Sequence, residues 1–287
     1  MELKKPTSFE EQVQLLIDKN IHIGDKQKCE DFLCKVNYYR FSAYYLPFLQ
    51  KDTDKCFDGT SFERIQKIYF FDQELRVLLF SIIEDIEIYI RTELAYYHSH
   101  KYGADGYMLP QYYNKHHNHT KFVQHITNCI HENGKTLVVK HHMEKYEGKF
   151  PLWVIIEFFS IGMLSHFYVS LPTQDKKFIS KKLYNTSHEV LSSWLRCLTD
   201  LRNKCAHYSR IYYWIFPALP KMPKNENYIP TRRLFAQLYM LKCLYPDKEK
   251  WNNYYLKELV KLVKRYKSSI SLKHLDFPYR WKSMLKK

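Results

Sequence analysis

Glycine is the residue type that most restricts what this sequence can fold into. The 287 residues include seven glycines, and none follows Gly162. Phosphate-binding loops and tight hairpin turns depend on glycine, because it permits positive φ angles and close backbone approach. The sequence contains no GxGxxG, GxxxxGK[ST] or GxSxG string. It therefore excludes a nucleotide-loop fold and a nucleophile elbow, and it favours an all-α protein.

Positive charge is concentrated in the last quarter of the chain. The net charge is +15, from 45 Lys and Arg against 30 Asp and Glu. Residues 221–287 hold 17 basic and 5 acidic residues, whereas residues 1–220 hold 28 and 25. A basic segment on a nearly neutral body predicts an anionic partner, either nucleic acid or an acidic surface. The alternative is a solvated face that only improves solubility.

Apolar spacing predicts several helices. The strongest pattern lies between Ile65 and Ile90, follows a Thr60–Glu63 capping box with Thr60 as N-cap, and extends to about Tyr97. A second capping box, Thr186–Glu189, opens another amphipathic helix. Further helices are predicted over residues 31–48, 151–171, 232–244 and 250–269. Within residues 151–171, Glu157 and His166 favour a buried helix over a membrane span.

These elements predict two parts. Residues 1–220 form a helical domain with a loop or helical insert at about 101–150, and residues 221–287 form a basic helical extension packed on or beside it. The seven cysteines show no C-x-x-C spacing, and the N-terminus lacks an apolar stretch like that of a signal peptide. We therefore expect reduced thiols, a cytoplasmic location, and neither a metal nor a cofactor.

One segment near the end of the second capped helix combines groups that could process RNA. Asn203 and His207 are four residues apart and share a helix face, and Arg202 lies about 140° around the axis from His207. An arginine holds phosphate through two parallel hydrogen bonds, and histidine moves protons near neutral pH. We predict that Arg202, Asn203 and His207 are catalytic, with Arg210 in support. The alternative is a purely structural cluster at a helix end.

Two further sets of residues are candidates for supporting roles. Glu84, Glu87 and Arg91 form a polar stripe on the predicted helix that begins near Thr60. This stripe either faces the site or contains an internal Glu87–Arg91 ion pair. The second set consists of basic residues of the C-terminal extension, predicted to bind RNA: Arg232, Arg233, Lys257, Lys261, Lys264, Arg265 and Lys267.

The sequence also resembles a known family. Arg202-Asn203-x-x-x-His207 is similar to the R-N-x(3)-H form of the motif of HEPN ribonucleases. The surrounding sequence resembles abortive-infection (Abi) proteins of AbiD/AbiF type. The resemblance covers residues 5–215 and is carried by these segments: Lys5–Phe9, Asn37–Ser42, Tyr69–Arg76, Ile83–Arg91, Pro151–Trp153, Phe159–Gly162 and Leu201–His207.

The resemblance implies a HEPN-like helical bundle and metal-independent RNA cleavage that leaves a 2′,3′-cyclic phosphate. The spacing Arg91-x(6)-His98 is one residue longer than the usual pattern, so a homodimer is the implied source of a second motif. The resemblance further implies toxin-like action in phage defence and regulation by a bound RNA or another partner. Two alternatives are a non-cleaving RNA-binding module and a protein-interaction adaptor.

Overall fold

The computed structural model describes residues 5–224 and 226–287 and confirms the all-α prediction. The fold is 65% helical, and no β-strand occurs among the described residues. The α-helices are α1 (Phe9–Asp18), α2 (Lys26–Leu33), α3 (Tyr38–Ser42), α4 (Phe62–Tyr102), α5 (His119–Glu132), α6 (Leu137–Lys145), α7 (Leu152–Ile155), α8 (Ile161–Ser170), α9 (Thr173–Tyr184), α10 (His188–Ala206), α11 (Leu234–Leu244), α12 (Lys248–Lys250), α13 (Leu256–Arg265) and α14 (Trp281–Leu285).

Helix α4 is the central element of the fold. Its 41 residues extend for about 60 Å. The isoleucines from Ile65 to Ile90 that carry the predicted spacing are buried, whereas Val77 and Ile88 between them are exposed. The helix begins one residue later than predicted, because Ser61 rather than Thr60 is the N-cap and its hydroxyl accepts the amide of Arg64. It ends at Tyr102, past the predicted Tyr97, where Gly103 adopts a φ of 85°.

Two segments predicted as single helices are interrupted. Residues 31–48 divide between α2, α3 and a 3₁₀ turn, because the Asn37 side chain caps α3 by accepting the amide of Tyr39. Residues 151–171 divide at Phe159, which is extended, and Ser160 caps α8 by accepting the amide of Met163. In both cases a polar side chain starts a new helix within an apolar run that shows no interruption in its periodicity.

The C-terminal region shares the hydrophobic core with the body. Helix α10 packs against α4, α8, α9 and α11. Nine of the eleven residues of α11 are buried, which is typical of a helix inside a domain rather than on its surface. Helix α13 packs on α4, and a π-helical segment, Trp251–Tyr255, joins it to α12. The division at residue 220 stays a prediction.

The helices can be compared with the membrane span considered for residues 151–171. None of the helices in residues 5–224 and 226–287 combines the length and apolar character needed to cross a bilayer.

Candidate functional site

The predicted catalytic segment lies where α10 ends. His207 is the C-cap residue, and its amide donates to the carbonyl of Asn203. The amide of Ser209 donates to the Lys204 carbonyl at 2.9 Å, and that of Tyr208 to the Cys205 carbonyl at 3.2 Å. This is the Schellman arrangement, which places one residue in the left-handed region. That residue is Tyr208, with a φ of 55°.

The three predicted catalytic residues differ in their exposure. Asn203 and His207 are exposed, and neither side chain has a hydrogen-bond partner among the described residues. Arg202 is half-buried, and its Nε is a buried donor without a partner. Buried donors are nearly always satisfied in native structures, so an unpaired one calls for an explanation. The Arg202 guanidinium makes no hydrogen bond or ion pair with the described residues.

The chain that follows His207 is anchored by a buried carboxylate. Asp72, on α4, is fully buried, and its Oδ1 accepts the amides of Tyr212 at 2.7 Å and Ile211 at 3.1 Å. Its Oδ2 accepts the Tyr44 hydroxyl at 2.7 Å and pairs with Arg76. Burial raises the pKa of Asp72, while Arg76 and the three hydrogen-bond donors oppose this by favouring the carboxylate.

Three arginines hold the turn at Tyr208 in place through hydrogen bonds to backbone carbonyl groups. Arg76 donates to the carbonyl of Ser209 at 3.3 Å. Arg40, on α3, donates to the carbonyl of Tyr208. Arg210 is half-buried, and its guanidinium donates to the carbonyl of Ala43 at the end of α3. The predicted supporting residue Arg210 thus ties the turn to α3, away from solvent.

A groove of about 640 Å³ lies beside this turn. Its walls come from four parts of the chain: the α2–α3 connection, α3, α4 and the end of α10. Ala206 and Tyr208, which flank His207 in the sequence, line one side. The fold therefore places the end of the Arg202–His207 segment at the edge of a groove.

The segments that build this arrangement fall within one family match. The family model of Abi-like proteins matches residues 31–213, more than half of the chain. The chain belongs to the Abi-like protein family. Membership suggests a role in abortive infection, which is a form of phage defence. Comparison with curated proteins and with solved structures finds no significant match.

In this Abi-like protein the polar stripe on α4 is partly engaged in internal contacts. Arg91 is buried, and its Nη2 donates to Glu87 at 2.8 Å and to the carbonyl of Phe159 at 2.9 Å. Its Nη1 lies 3.6 Å from Glu157. Glu84 is exposed and has no hydrogen-bond partner among the described residues. The guanidinium of Arg91 thus joins α4 to the α7–α8 connection. Its contact with Glu87 is the internal ion pair considered above.

His98, which could have completed a second motif with Arg91, is fully buried. Both of its ring nitrogens lack hydrogen-bond partners, and its ring lies among those of Tyr102, Tyr113 and Phe167. Burial lowers the pKa of His98 to about 4. The structure thus gives this histidine no access to a ligand at the surface.

The predicted RNA-binding residues are divided between α13 and other parts of the chain. Lys257, Lys261 and Lys264 are exposed on one face of α13, four and three residues apart. Lys261 pairs with Glu258, and Arg265 pairs with Glu74 on α4. The remaining predicted residues, Arg232, Arg233 and Lys267, lie outside α13.

Arg233 has structural contacts of its own. It is half-buried, and it donates to the carbonyl of Tyr213 at 2.8 Å. Its guanidinium also lies over the Tyr213 ring, 4.7 Å from the centroid. This residue holds the chain beyond the Arg202–His207 segment, whereas Lys257 and Lys264 have no ion-pair partner in the described part of the chain.

Sequence reasoning did not assign a function to the residues that anchor the turn. Arg40, Asp72 and Arg76 all lie in segments that carry the family resemblance, Asn37–Ser42 and Tyr69–Arg76. No local pattern indicates that they meet the segment after His207, because the contacts join residues more than 130 positions apart. The sequence feature that could have identified them is the occurrence of charged residues within otherwise apolar, aromatic segments.

Proposed function

We propose that this protein is a HEPN-type RNA endonuclease of the AbiD/AbiF kind, acting in the cytoplasm in phage defence. The observation that carries the proposal is the exposed His207 imidazole at the end of α10, one turn from the exposed Asn203, with the half-buried Arg202 five positions before it on the same helix. An imidazole, a guanidinium and an amide in the last turns of one helix supply a proton carrier and an anion binder.

The proposed reaction uses only groups of this chain. His207 takes the proton from a ribose 2′-hydroxyl or gives one to the leaving 5′-oxygen. Arg202 stabilises the negative charge that develops on the phosphorane, and Asn203 orients the pair. The 2′-oxygen attacks the adjacent phosphorus, the bond to the 5′-oxygen breaks, and a 2′,3′-cyclic phosphate results. The attacking oxygen comes from the RNA itself, so the reaction does not call for an activated water.

A second copy of the chain is the proposed source of the opposing motif. Each chain carries one R-N-x(3)-H segment. An exposed apolar surface at the far half of α4 supports association, since Ile88 and Tyr96 lie eight residues apart on one face and Trp153 lies beside Tyr96. Each of these three side chains is more than half exposed. We further propose that a bound RNA or another partner regulates the nuclease, as toxin-like action requires.

The test is cleavage of purified RNA by the full-length protein in EDTA. We expect wild type to leave 2′,3′-cyclic phosphate ends, and His207→Ala and Arg202→Ala to lower the rate by about 10² to 10⁴. His125→Ala, an exposed histidine on α5, is the matched control and retains wild-type activity. Equal cleavage by wild type and His207→Ala would contradict the proposal, and so would loss of cleavage in EDTA.

One observation favours a second candidate function, a module that binds RNA without cleaving it. The described residues that line the groove beside Tyr208 include Lys35 and Arg40 and no carboxylate, so the groove would attract RNA whether or not His207 acts. RNA binding by wild type without any His207-dependent cleavage selects this alternative.

A further inference from the structure

The groove beside Tyr208 differs in charge from other cavities on the molecule. Among the described residues, its lining includes Lys35, Arg40 and Arg76 and no carboxylate. Four other surface cavities each include at least one acidic side chain, namely Glu157, Glu74 with Glu258, Asp105 with Glu147, and Glu144. The charge of Arg76 is balanced beneath the surface by Asp72. The net charge of the groove is therefore positive, which suits an anionic ligand.

Two of the cations are available to such a ligand. Lys35 is exposed and forms no ion pair with any described residue. Arg40 uses Nη2 to hold the carbonyl of Tyr208, and its other N–H groups have no partner among the described residues. One fixed guanidinium and one mobile ammonium thus border the groove, and both are donors that bind phosphate.

The walls of the groove offer aromatic surface next to these cations. Tyr69, Phe80 and Tyr208 line it. Tyr208 is 69% exposed, so its ring contributes little to the protein core. Its left-handed φ of 55° disfavours any side chain with a Cβ. An exposed aromatic residue in a position where glycine is preferred indicates that the ring has a use outside folding.

Amide side chains complete the lining. Asn37 and Gln73 are exposed, and each has at least one amide hydrogen-bonding group without a partner among the described residues. Side-chain amides both donate and accept, which allows them to bind the edge of a nucleobase. Phosphate-binding cations, a stacking ring and unpaired amides together match the chemistry of a nucleotide.

We propose that this groove binds one unpaired nucleotide of an RNA strand, with its base on the ring of Tyr208 and its phosphate at Lys35 and Arg40. The inference rests on the proposed function and deepens it, since Tyr208 follows His207 directly. The groove selects an unstacked nucleotide in a single strand or loop, because a base within a duplex cannot present its face to a tyrosine ring. Bound there, the nucleotide lies beside the segment that carries the proposed chemistry.

The experiment measures binding of a fluorescein-labelled single-stranded RNA of about 12 nucleotides to the full-length His207→Ala protein. Fluorescence anisotropy gives Kd over a salt series. We expect Tyr208→Ala to weaken Kd by about fivefold to a hundredfold and Tyr208→Phe to restore it, because base stacking needs the ring and not the hydroxyl. Lys35→Ala should weaken Kd and reduce the slope of log Kd against log salt by about 0.7.

Two controls match these substitutions. Tyr39→Ala removes a tyrosine that is 86% exposed on α3 and does not line the groove. Lys177→Ala removes an exposed lysine on α9. Both variants should bind RNA as the His207→Ala protein does. A second RNA is a hairpin whose nucleotides are all paired apart from a minimal loop. The His207→Ala protein should bind this hairpin less tightly than the single strand. Once Tyr208 is also replaced by Ala, the protein should bind the two RNAs equally.

The outcomes separate this inference from the proposed function. If RNA binding is unchanged in Tyr208→Ala and Lys35→Ala, the groove assignment is wrong and the proposed nuclease function is unaffected. Absence of RNA binding and cleavage in the wild type overturns both. If the two substitutions instead convert a dimer to a monomer in sedimentation, with RNA affinity per chain unchanged, the groove belongs to an interface between copies and the assignment is wrong.

Discussion

The carboxylate of Asp72 accepts the backbone amide of Tyr212 at 2.7 Å, across 140 positions of the sequence. This bond joins the first third of α4 to the chain five residues past His207. Together with the Ile211 amide and the Arg76 guanidinium, it holds the segment that follows α10 against α4. The position of the candidate site thus depends on a residue that is itself fully buried and has no contact with solvent.

Replacing Asp72 by Asn should destabilise the protein by about 3 to 5 kcal/mol, because it leaves the charge of the buried Arg76 unpaired. Chemical denaturation monitored by circular dichroism measures this change. Glu144→Gln, which neutralises an exposed carboxylate on α6, is the control and should change the free energy of unfolding by less than about 0.5 kcal/mol. A loss under about 1 kcal/mol for Asp72→Asn would show that the pair does not hold the turn.

Replacing Tyr208 by Gly should raise the free energy of unfolding by about 0.5 to 1 kcal/mol, because glycine relieves the left-handed strain at a small entropic cost. The same variant should lose RNA affinity, since it lacks the ring. Tyr39→Gly provides the contrast: that residue is equally aromatic and exposed but helical, so glycine should destabilise the protein by about 1 kcal/mol. A less stable Tyr208→Gly protein would mean that the ring contributes to folding.

The stability of the protein should fall as the pH drops, in part because of His98. Burial lowers the pKa of His98 to about 4 in the folded protein, against about 6.5 for a free histidine. Below pH 6.5 the unfolded chain therefore takes up the proton first, and the free energy of unfolding declines until the pH reaches about 4. The difference corresponds to about 3 kcal/mol at the acidic end and to nothing above pH 7.

His98→Leu should flatten this decline, as measured by urea unfolding at a series of pH values. His125→Leu, which changes an exposed histidine, should keep the pH dependence of the wild type. A slope that is the same in wild type and His98→Leu would show that other groups cause it.

The exposed lysines of α13 should contribute to RNA affinity without a role in chemistry. The combined change of Lys257, Lys261 and Lys264 to Ala should lower the slope of log K against log salt by about 2. The single-turnover rate at saturating protein should stay as in the wild type. The control removes the same charge from the exposed Lys115, Lys121 and Lys140. If both triple variants bind RNA equally, α13 has no special role.

Local pattern was enough to find most of the helices, and its errors have a common cause. Apolar spacing located α4, α10 and α13, since each buries a continuous stripe. It missed the breaks before α3 and α8, where Asn37 and Ser160 act as N-caps inside apolar segments. A cap depends on the backbone conformation of one residue, and a periodicity taken over a dozen residues does not register it.

The sequence by itself determined the helical class, the family and the residues proposed for chemistry, because each rests on neighbouring positions: glycine content, helical spacing and the Arg202–His207 motif. The tertiary structure alone decided that Arg40, Asp72 and Arg76 converge on the segment that follows that motif and that a positively charged groove forms beside Tyr208. These contacts arise when the long helix α4 packs against α10. Which residues then face each other depends on the packing of whole helices, a property that no local pattern encodes.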